Sequence, residues 1–324
     1  EPSRHQPVSI FKPDQFTNMS RYLNPKNDLA FKTVFGGHKN LCISLLNALL
    51  RLEGDRKIKQ IEYLDNEMLP RIDGGRNSIV DVRCIDEPGR QFIVEMQMYW
   101  TTGFEKRVLF NASKAYIAQL DKKERFGSLQ PVYVLSFVNE IYDRTPETGG
   151  EYYHRYALMH EGHPVRRIEG IELIFVELPK FKPQRRAEKK FEQLWLLFLT
   201  AINDTTQEPP KELLATKETK KALDYLERAA FTPEQLRTYD GYWDAIRLER
   251  SRSVGMFDAG LAKGKAEGLA EGEALGLAKG KAEGIAEGEA NANLALARKM
   301  KAKGFLPEDI AEITGIPIEQ LRRL

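Results

Sequence analysis

The chain has 324 residues, of which 42% are hydrophobic and 30% charged, enough apolar material for a sizeable core and for more than one domain. Its 49 Lys and Arg nearly balance its 47 Asp and Glu. The chain as a whole is therefore no polycation, and any nucleic-acid binding falls to local basic patches. Cys42 and Cys84 sit in apolar surroundings and give neither a disulfide framework nor zinc spacing, which fits a reducing, cytoplasmic setting. No apolar run is long enough to span a bilayer, and no signal-peptide core is present, so no membrane partner is expected.

In chain order, residues 1–22 read as a polar lead-in carrying Pro2, Pro7 and Pro13. "NPKNDLAFKTVFG" predicts a helix capped by Asn24 or Asn27, with apolar positions at Leu29, Phe31 and Phe35 and a stop at Gly36-Gly37. "NLCISLLNALLRLEG" predicts a second helix, stopped by Gly54. "IKQIEYLDNEML" alternates weakly. "SIVDVRCID" and "QFIVEMQMYW" predict two strands around a Pro88-Gly89 turn, a hairpin from about Ser78 to Tyr99.

"GFEKRVLFNASKAYIAQL" has helical spacing, "QPVYVLSFV" reads as a fully buried strand, and "YYHRYALMH" and "IELIFVELPKF" as two more. This order predicts a mixed α/β domain over 23–185. Residues 186–255 read as a helical region, in which Thr232, Pro233 and Gln235 form a helix start with a capping box.

Residues 260–275 then recur at 276–291, with a glycine at every fourth position from Gly260 to Gly288. Each interior glycine costs roughly 0.8–1 kcal/mol against alanine, so the segment either packs against a partner or frays. A four-residue period also drifts by about 40° per step against the helix, so a partner would have to wind with the stripe. Residues 256–304 are therefore expected to be an oligomerising helix, with a flexible charged linker and a direct functional role as the other readings. The tail, 305–324, predicts two short helices around Gly315 and Pro317, with Ile310, Ile313, Ile316 and Leu321 on one face. Half of a helix-turn-helix and a plain packing pair both fit it.

The chemistry centres on "FIVEMQMYW". Alternation along a strand puts Ile93, Glu95 and Gln97 on one side and Val94, Met96 and Met98 on the other. A buried carboxylate needs a partner or a metal. The other strand of the hairpin carries Asp81, on a face with Arg83 and Ile85. Counted from the turn, Asp81 is expected farther out than Glu95, so the two would be diagonal and would need a twist or bulge to converge. Two converging carboxylates suit Mg²⁺. An ion pair of Glu95 with Arg83 or Arg107 is the competing reading. His154, His160 and His163 cluster in sequence, but "HEGH" reads as a turn and no HExxH helix exists. There is no Walker-type phosphate loop, so no nucleotide cofactor is expected, and no GxSxG elbow.

An Asp followed across a hairpin by ExQ resembles the PD-(D/E)XK nuclease superfamily. "NPKNDLAFKTVFG", "VDVRCIDEPGRQFIVEMQ", "RVLFNASKAYIAQL" and "PVYVLSFV" together resemble the Rpn family of recombination-promoting nucleases, also described as PD-(D/E)XK family transposases. The glycine repeat and the "LPEDIAEITGI" tail are similar to C-terminal regions of that family. The resemblance implies a restriction-endonuclease-like mixed sheet flanked by helices, followed by an all-helical C-terminal region. It implies a Mg²⁺-dependent DNA endonuclease (with Mn²⁺ or Ca²⁺ as other candidate ions) that promotes recombination or mobile-element activity.

By position, Asp81 and Glu95 would hold the metal, with the Met96 carbonyl and Asp28 as further ligands. Gln97 stands where the superfamily usually has Lys. The ExQ form is usual in the Rpn-like branch, but an amide supplies no charge, so a cation is expected elsewhere, with Arg107 and Lys114 as candidates. Lys26, Lys32 and Arg107 are candidate DNA-phosphate contacts. Two alternatives stay open: a catalytically weak or inactive DNA-binding or assembly protein on a nuclease scaffold, and a structural oligomer whose acidic pair is salt-bridged.

Overall fold

A computed structural model describes residues 20–68, 78–101, 103–120, 125–183 and 190–324. Most of the expected lead-in and the boundary expected at 185/186 lie outside the described residues. The chain divides into two compact units, one up to Arg247 and one from Leu248 to Leu324.

The first unit opens with helix α1 (Asp28–Phe31), continued by a π-helical turn through Gly36. Of the two capping candidates it is Asn27 whose side chain accepts the Leu29 N–H. Helix α2 (Lys39–Leu49) ends earlier than the Gly54 stop suggests. Leu50 closes the last turn and Arg51 takes a left-handed backbone, φ 53°. In that conformation Arg51 pairs with the buried Glu192 at 3.0 Å and lies over the Tyr153 ring.

Strands β1 (Ile61–Tyr63) and β2 (Glu67–Met68) follow. The expected strand "SIVDVRCID" is two strands, β3 (Ser78–Ile79) and β4 (Val82–Asp86), with the break at Val80 and Asp81. β3 pairs with β2, and β4 turns through Gly89 (φ +90°) into β5 (Gln91–Gln97). Helix α3 (Phe104–Ile117), strand β6 (Val132–Val138), and the hairpin of β7 (Tyr153–His160) and β8 (His163–Glu177) complete the α/β part.

The six-stranded sheet has the order β1-β4-β5-β6-β8-β7. β5, β6 and β8 are parallel; β1 with β4, β4 with β5, and β7 with β8 are antiparallel. β5 and β6 are central, hydrogen-bonded on both edges, and therefore apolar throughout except where chemistry intervenes. One sheet face packs Ile93, Val134, Val138 and Phe175 against Phe104, Val108, Ala112 and Ala115 of α3. The other face packs Val82, Val94, Leu135 and Val176 against α2 and helices α4 (Lys190–Ala201) and α5 (Lys217–Tyr225). Trp195, Phe198 and Leu199 of α4 and Leu223 of α5 are fully or nearly fully buried there, so the helices after the sheet share its core.

Helix α6 (Pro233–Ala302) starts from the expected cap, with Thr232 and Gln235 exchanging two hydrogen bonds. Near its start, Tyr239 donates to Asp204 and accepts the Asn24 N–H, while its carbonyl accepts from Asn27, so both ends of the first unit meet.

In the second unit, α6 is followed by α7 (Pro307–Thr314) and α8 (Ile318–Arg323). Gly315, in the left-handed region at φ 69°, ends α7. Ala297, Met300, Ile310 and Leu321 make a small core of their own. Through the glycine repeat α6 is exposed on all sides.

Candidate active site

The hairpin sets the register. Val82 pairs with Val94, Arg83 with Ile93 and Cys84 with Phe92. One step outward, Asp81 comes level with Glu95. The diagonal expectation is thus corrected: the two acids stand at equal distance from the turn, and no bulge is needed to bring them together.

Asp81 leaves the ladder where β4 starts, and its Oδ2 accepts the Met96 N–H at 2.6 Å. The carboxyl is thereby bent across the end of the hairpin. Burial raises its pKa to about 6; the Met96 hydrogen bond and the charges of Lys32 and Arg107 oppose the rise, while Asp28 adds to it.

Glu95 lies on the α3 side of the sheet, only 7% exposed. Its Oε1 accepts from the Asn111 side chain of α3 at 3.0 Å. Its Oε2 is buried with no hydrogen-bond partner among the described residues. Burial raises its pKa to about 7, Asp81 adds to the rise, and Asn111 and Arg107 oppose it. The neighbour on β6 is Ser136, whose buried hydroxyl also has no partner among the described residues.

Gln97 uses both ends of its amide. Nε2 donates to the Tyr99 carbonyl at 2.7 Å, and Oε1 accepts from Arg107 Nη2 at 2.6 Å. Arg107 is further held over the Phe104 ring. The amide therefore aims a guanidinium whose charge reaches both Asp81 and Glu95.

The remaining candidates divide. Asp28 pairs with Lys32 at 2.7 Å, and both charges act on Asp81. Lys114 donates to the Met68 carbonyl at 2.6 Å. Lys26 is half-buried, its pKa lowered by burial, and the charge acting on it is that of Asp204. Asp81, Glu95, Gln97, Arg107, Asp28 and Lys32 thus form one group linked by hydrogen bonds and charge.

Sequence reasoning missed Asn111. It sits one turn after Arg107, a polar residue among the buried α3 positions Val108, Ala112 and Ala115, and that interruption was the available signal.

A second cluster was also missed. Among the described residues, Asp143, His154 and Glu177 are the group of three whose ligand atoms lie within 4.8 Å of one another. Of the three sequence histidines, only His154 takes part. His154 Nε2 is 2.8 Å from Glu177 Oε1, and Glu177 Oε2 accepts the Tyr142 N–H. Lys180 already occupies the cluster, 2.5 Å from Glu177 and donating to the Asp143 carbonyl. An ammonium there supplies the positive charge that a cation would otherwise bring.

The donor sets therefore differ. At Asp81 and Glu95, a half-buried and a buried carboxylate with raised pKa values and one unpartnered oxygen fit a hard divalent cation. Residues 25–247 match the family model of the PD-(D/E)XK nuclease family transposases. The fold is that of a PD-(D/E)XK nuclease-like protein, and the chain belongs to the PD-(D/E)XK nuclease family transposases. Compared with curated proteins and with solved structures, the chain finds no match in either. Among the described residues no helix is long and apolar enough to cross a membrane.

Proposed function

We propose that the chain is a Mg²⁺-dependent DNA endonuclease that hydrolyses phosphodiester bonds and so promotes recombination or mobile-element activity. The observation that carries this reading is the level pair of acids, half-buried Asp81 and buried Glu95, the latter with an unpartnered oxygen among the described residues. These two would hold the cation, with the Met96 carbonyl and Asp28 as further oxygen donors. When bound, a divalent cation supplies Lewis acidity to a phosphodiester oxygen and to the attacking water.

The chain's own residues do the rest. Asn111 fixes one oxygen of Glu95, so the other keeps one direction. Gln97 is a positioning residue: with its amide committed to Tyr99 and Arg107, it places the Arg107 guanidinium beside the acids. Arg107 then provides the charge on the phosphate that a lysine at position 97 would otherwise give, and it can do so through two parallel donors. Lys32 is the next cation in reach of Asp81 and contacts the DNA backbone, as does Lys26. The exposed repeat, 256–304, joins copies of the chain, which brings two sites to a duplex.

The test is cleavage of supercoiled plasmid by the purified chain with Mg²⁺, with EDTA, and with Asp81→Ala, circular dichroism confirming that the variant is folded. Nicking or linearisation that needs the metal and is lost in the variant is expected. DNA binding without cleavage under Mg²⁺ or Mn²⁺ would overturn the nuclease reading in favour of an inactive scaffold.

A further inference from the structure

The repeat helix has four rows of side chains because its sequence period is four. One row is glycine, from Gly260 to Gly288. Two residues on, a second row is alanine throughout, from Ala262 to Ala290. Between them runs Leu261, Lys265, Leu269, Glu273, Leu277, Lys281, Ile285, Glu289, in which apolar and charged residues alternate. The fourth row is polar save for Leu275 and pairs four of its six charges internally: Lys263 lies 3.7 Å from Glu267, and Lys279 lies 3.9 Å from Glu283.

The alternating row has no such use. Leu261, Leu269, Leu277 and Ile285 are 63%, 63%, 77% and 54% exposed. Lys265, Glu273, Lys281 and Glu289 make no ion pair among the described residues. The glycines beside them face open space within the chain. A leucine row flanked by small residues, with unused charges of both signs, is a surface built for a partner.

The order of charges says which partner. Against a parallel, in-register copy, Lys265 meets Lys265 and Glu273 meets Glu273, and every charged step is repulsive. Against an antiparallel copy turned about Leu277, Lys265 meets Glu289, Leu269 meets Ile285, Glu273 meets Lys281, and Leu277 meets Leu277. From Lys265 to Glu289 each apolar residue finds an apolar one and each cation an anion; Leu261 falls opposite Asn293. A parallel copy slid by eight residues also matches charges, but it leaves row ends unpaired and continues without closing, whereas the antiparallel pair is a closed two-fold.

We propose that a second copy of this chain docks antiparallel along the row Lys265–Glu289, with the two-fold axis at Leu277. This deepens the reading of residues 256–304 as the joining segment and is independent of the nuclease chemistry. Because the row advances by about 40° per step, contact from Lys265 to Glu289 requires the two helices to wind around each other, in the right-handed sense set by a period above 3.6. The glycine and alanine rows let the two backbones approach on either side of the leucines.

The test is disulfide trapping with full-length chains carrying Leu269→Cys, Leu277→Cys or Ile285→Cys, oxidised by diamide alone and in differently tagged mixtures. The native Cys42 and Cys84 are fully buried and give no background. Leu269→Cys mixed with Ile285→Cys is expected to give a mixed dimer at least ~10-fold more abundant than any dimer of Leu269→Cys alone. Self-linking of Leu269→Cys would show parallel pairing and overturn the proposal. Linking of Leu269→Cys to Leu277→Cys would show the staggered arrangement and overturn it too, as would no linking in any mixture. A second pair of variants reads the charges. Lys265→Glu with Lys281→Glu, and Glu273→Lys with Glu289→Lys, should each be monomeric alone and form a dimer when mixed. A dimer that persists in either one alone contradicts the assigned register. None of these readouts involves cleavage, so failure here leaves the nuclease reading to its own test.

Discussion

The Asp81 carboxylate accepts the backbone N–H of Met96 at 2.6 Å, and Met96 directly follows Glu95. One hydrogen bond thus ties the acid that leaves β4 to the strand carrying its companion. Asp81→Asn keeps an acceptor for that N–H and removes the charge; Asp81→Ala removes both. Both variants should lose cleavage by at least ~100-fold, on the scale set by losses at groups around metal ligands. Only the alanine should also lower unfolding free energy, by about 1–3 kcal/mol for an unsatisfied buried donor. Plasmid cleavage and urea melts of the two variants check the pair of statements.

Asn111→Ala should act through Glu95. Asn111 donates to Glu95 and favours its ionised form, against the burial that raises its pKa to about 7. Without it that pKa rises further. At neutral pH the variant should cleave about 10–100-fold more slowly, and its rate against pH should rise to a plateau at higher pH than that of the parent. A merely structural role would lower the rate equally at all pH values.

Arg107→Ala should lower turnover by about 10²–10³-fold, the usual loss for one donor to a developing charge. Arg107→Lys retains the charge without the fork and should fall between. Gln97→Ala should be milder than Arg107→Ala, because Gln97 only aims the guanidinium. Single-turnover rates on one duplex substrate decide the order, and an order in which Gln97→Ala is the worst would assign the amide a direct part.

Metal-free stability should fall as pH rises from about 4 to about 7. Asp81 and Glu95 have folded pKa values of about 6 and about 7, above their ordinary values of 3.8 and 4.5. In that window the native state binds more protons than the unfolded state, so unfolding free energy has a negative slope in pH. The contribution is fully present below the unfolded values and is lost once pH passes the folded ones. The acids are neighbours and titrate as a pair. Thermal melts in EDTA should show the decline, the double variant Asp81→Asn with Glu95→Gln should flatten it, and Mg²⁺ should offset it at pH 8.

Much of this site was legible in the sequence because its signals are local. Alternation around Pro88-Gly89 gives the hairpin, and a glutamate in an otherwise apolar strand marks itself. Two things were not local. The strand through Asp81 breaks because Val80 and Ile79 follow β3 toward β2, a pairing that periodicity cannot see. α2 ends before Gly54, and Arg51, just past its end, pairs with Glu192 of α4, far along the chain. The cluster of His154, Glu177, Asp143 and Lys180 was hidden for the same reason: its members come from β7, the end of β8 and two flanking loops, and no spacing announces them. Asn111 was partly legible as a polar residue on a buried helix face, but its meaning required knowing which face covers Glu95.

The central claim is that Asp81 and Glu95 together hold a divalent cation. Titration calorimetry with Mn²⁺ and with Mg²⁺ at pH 8 tests it most directly, using the parent chain, Asp81→Asn, Glu95→Gln and a control altered at His154→Gln. The expected result is binding that is lost in Asp81→Asn and in Glu95→Gln and retained in His154→Gln. Binding that survives both acid variants and disappears in His154→Gln would place the metal at Glu177 and contradict the account.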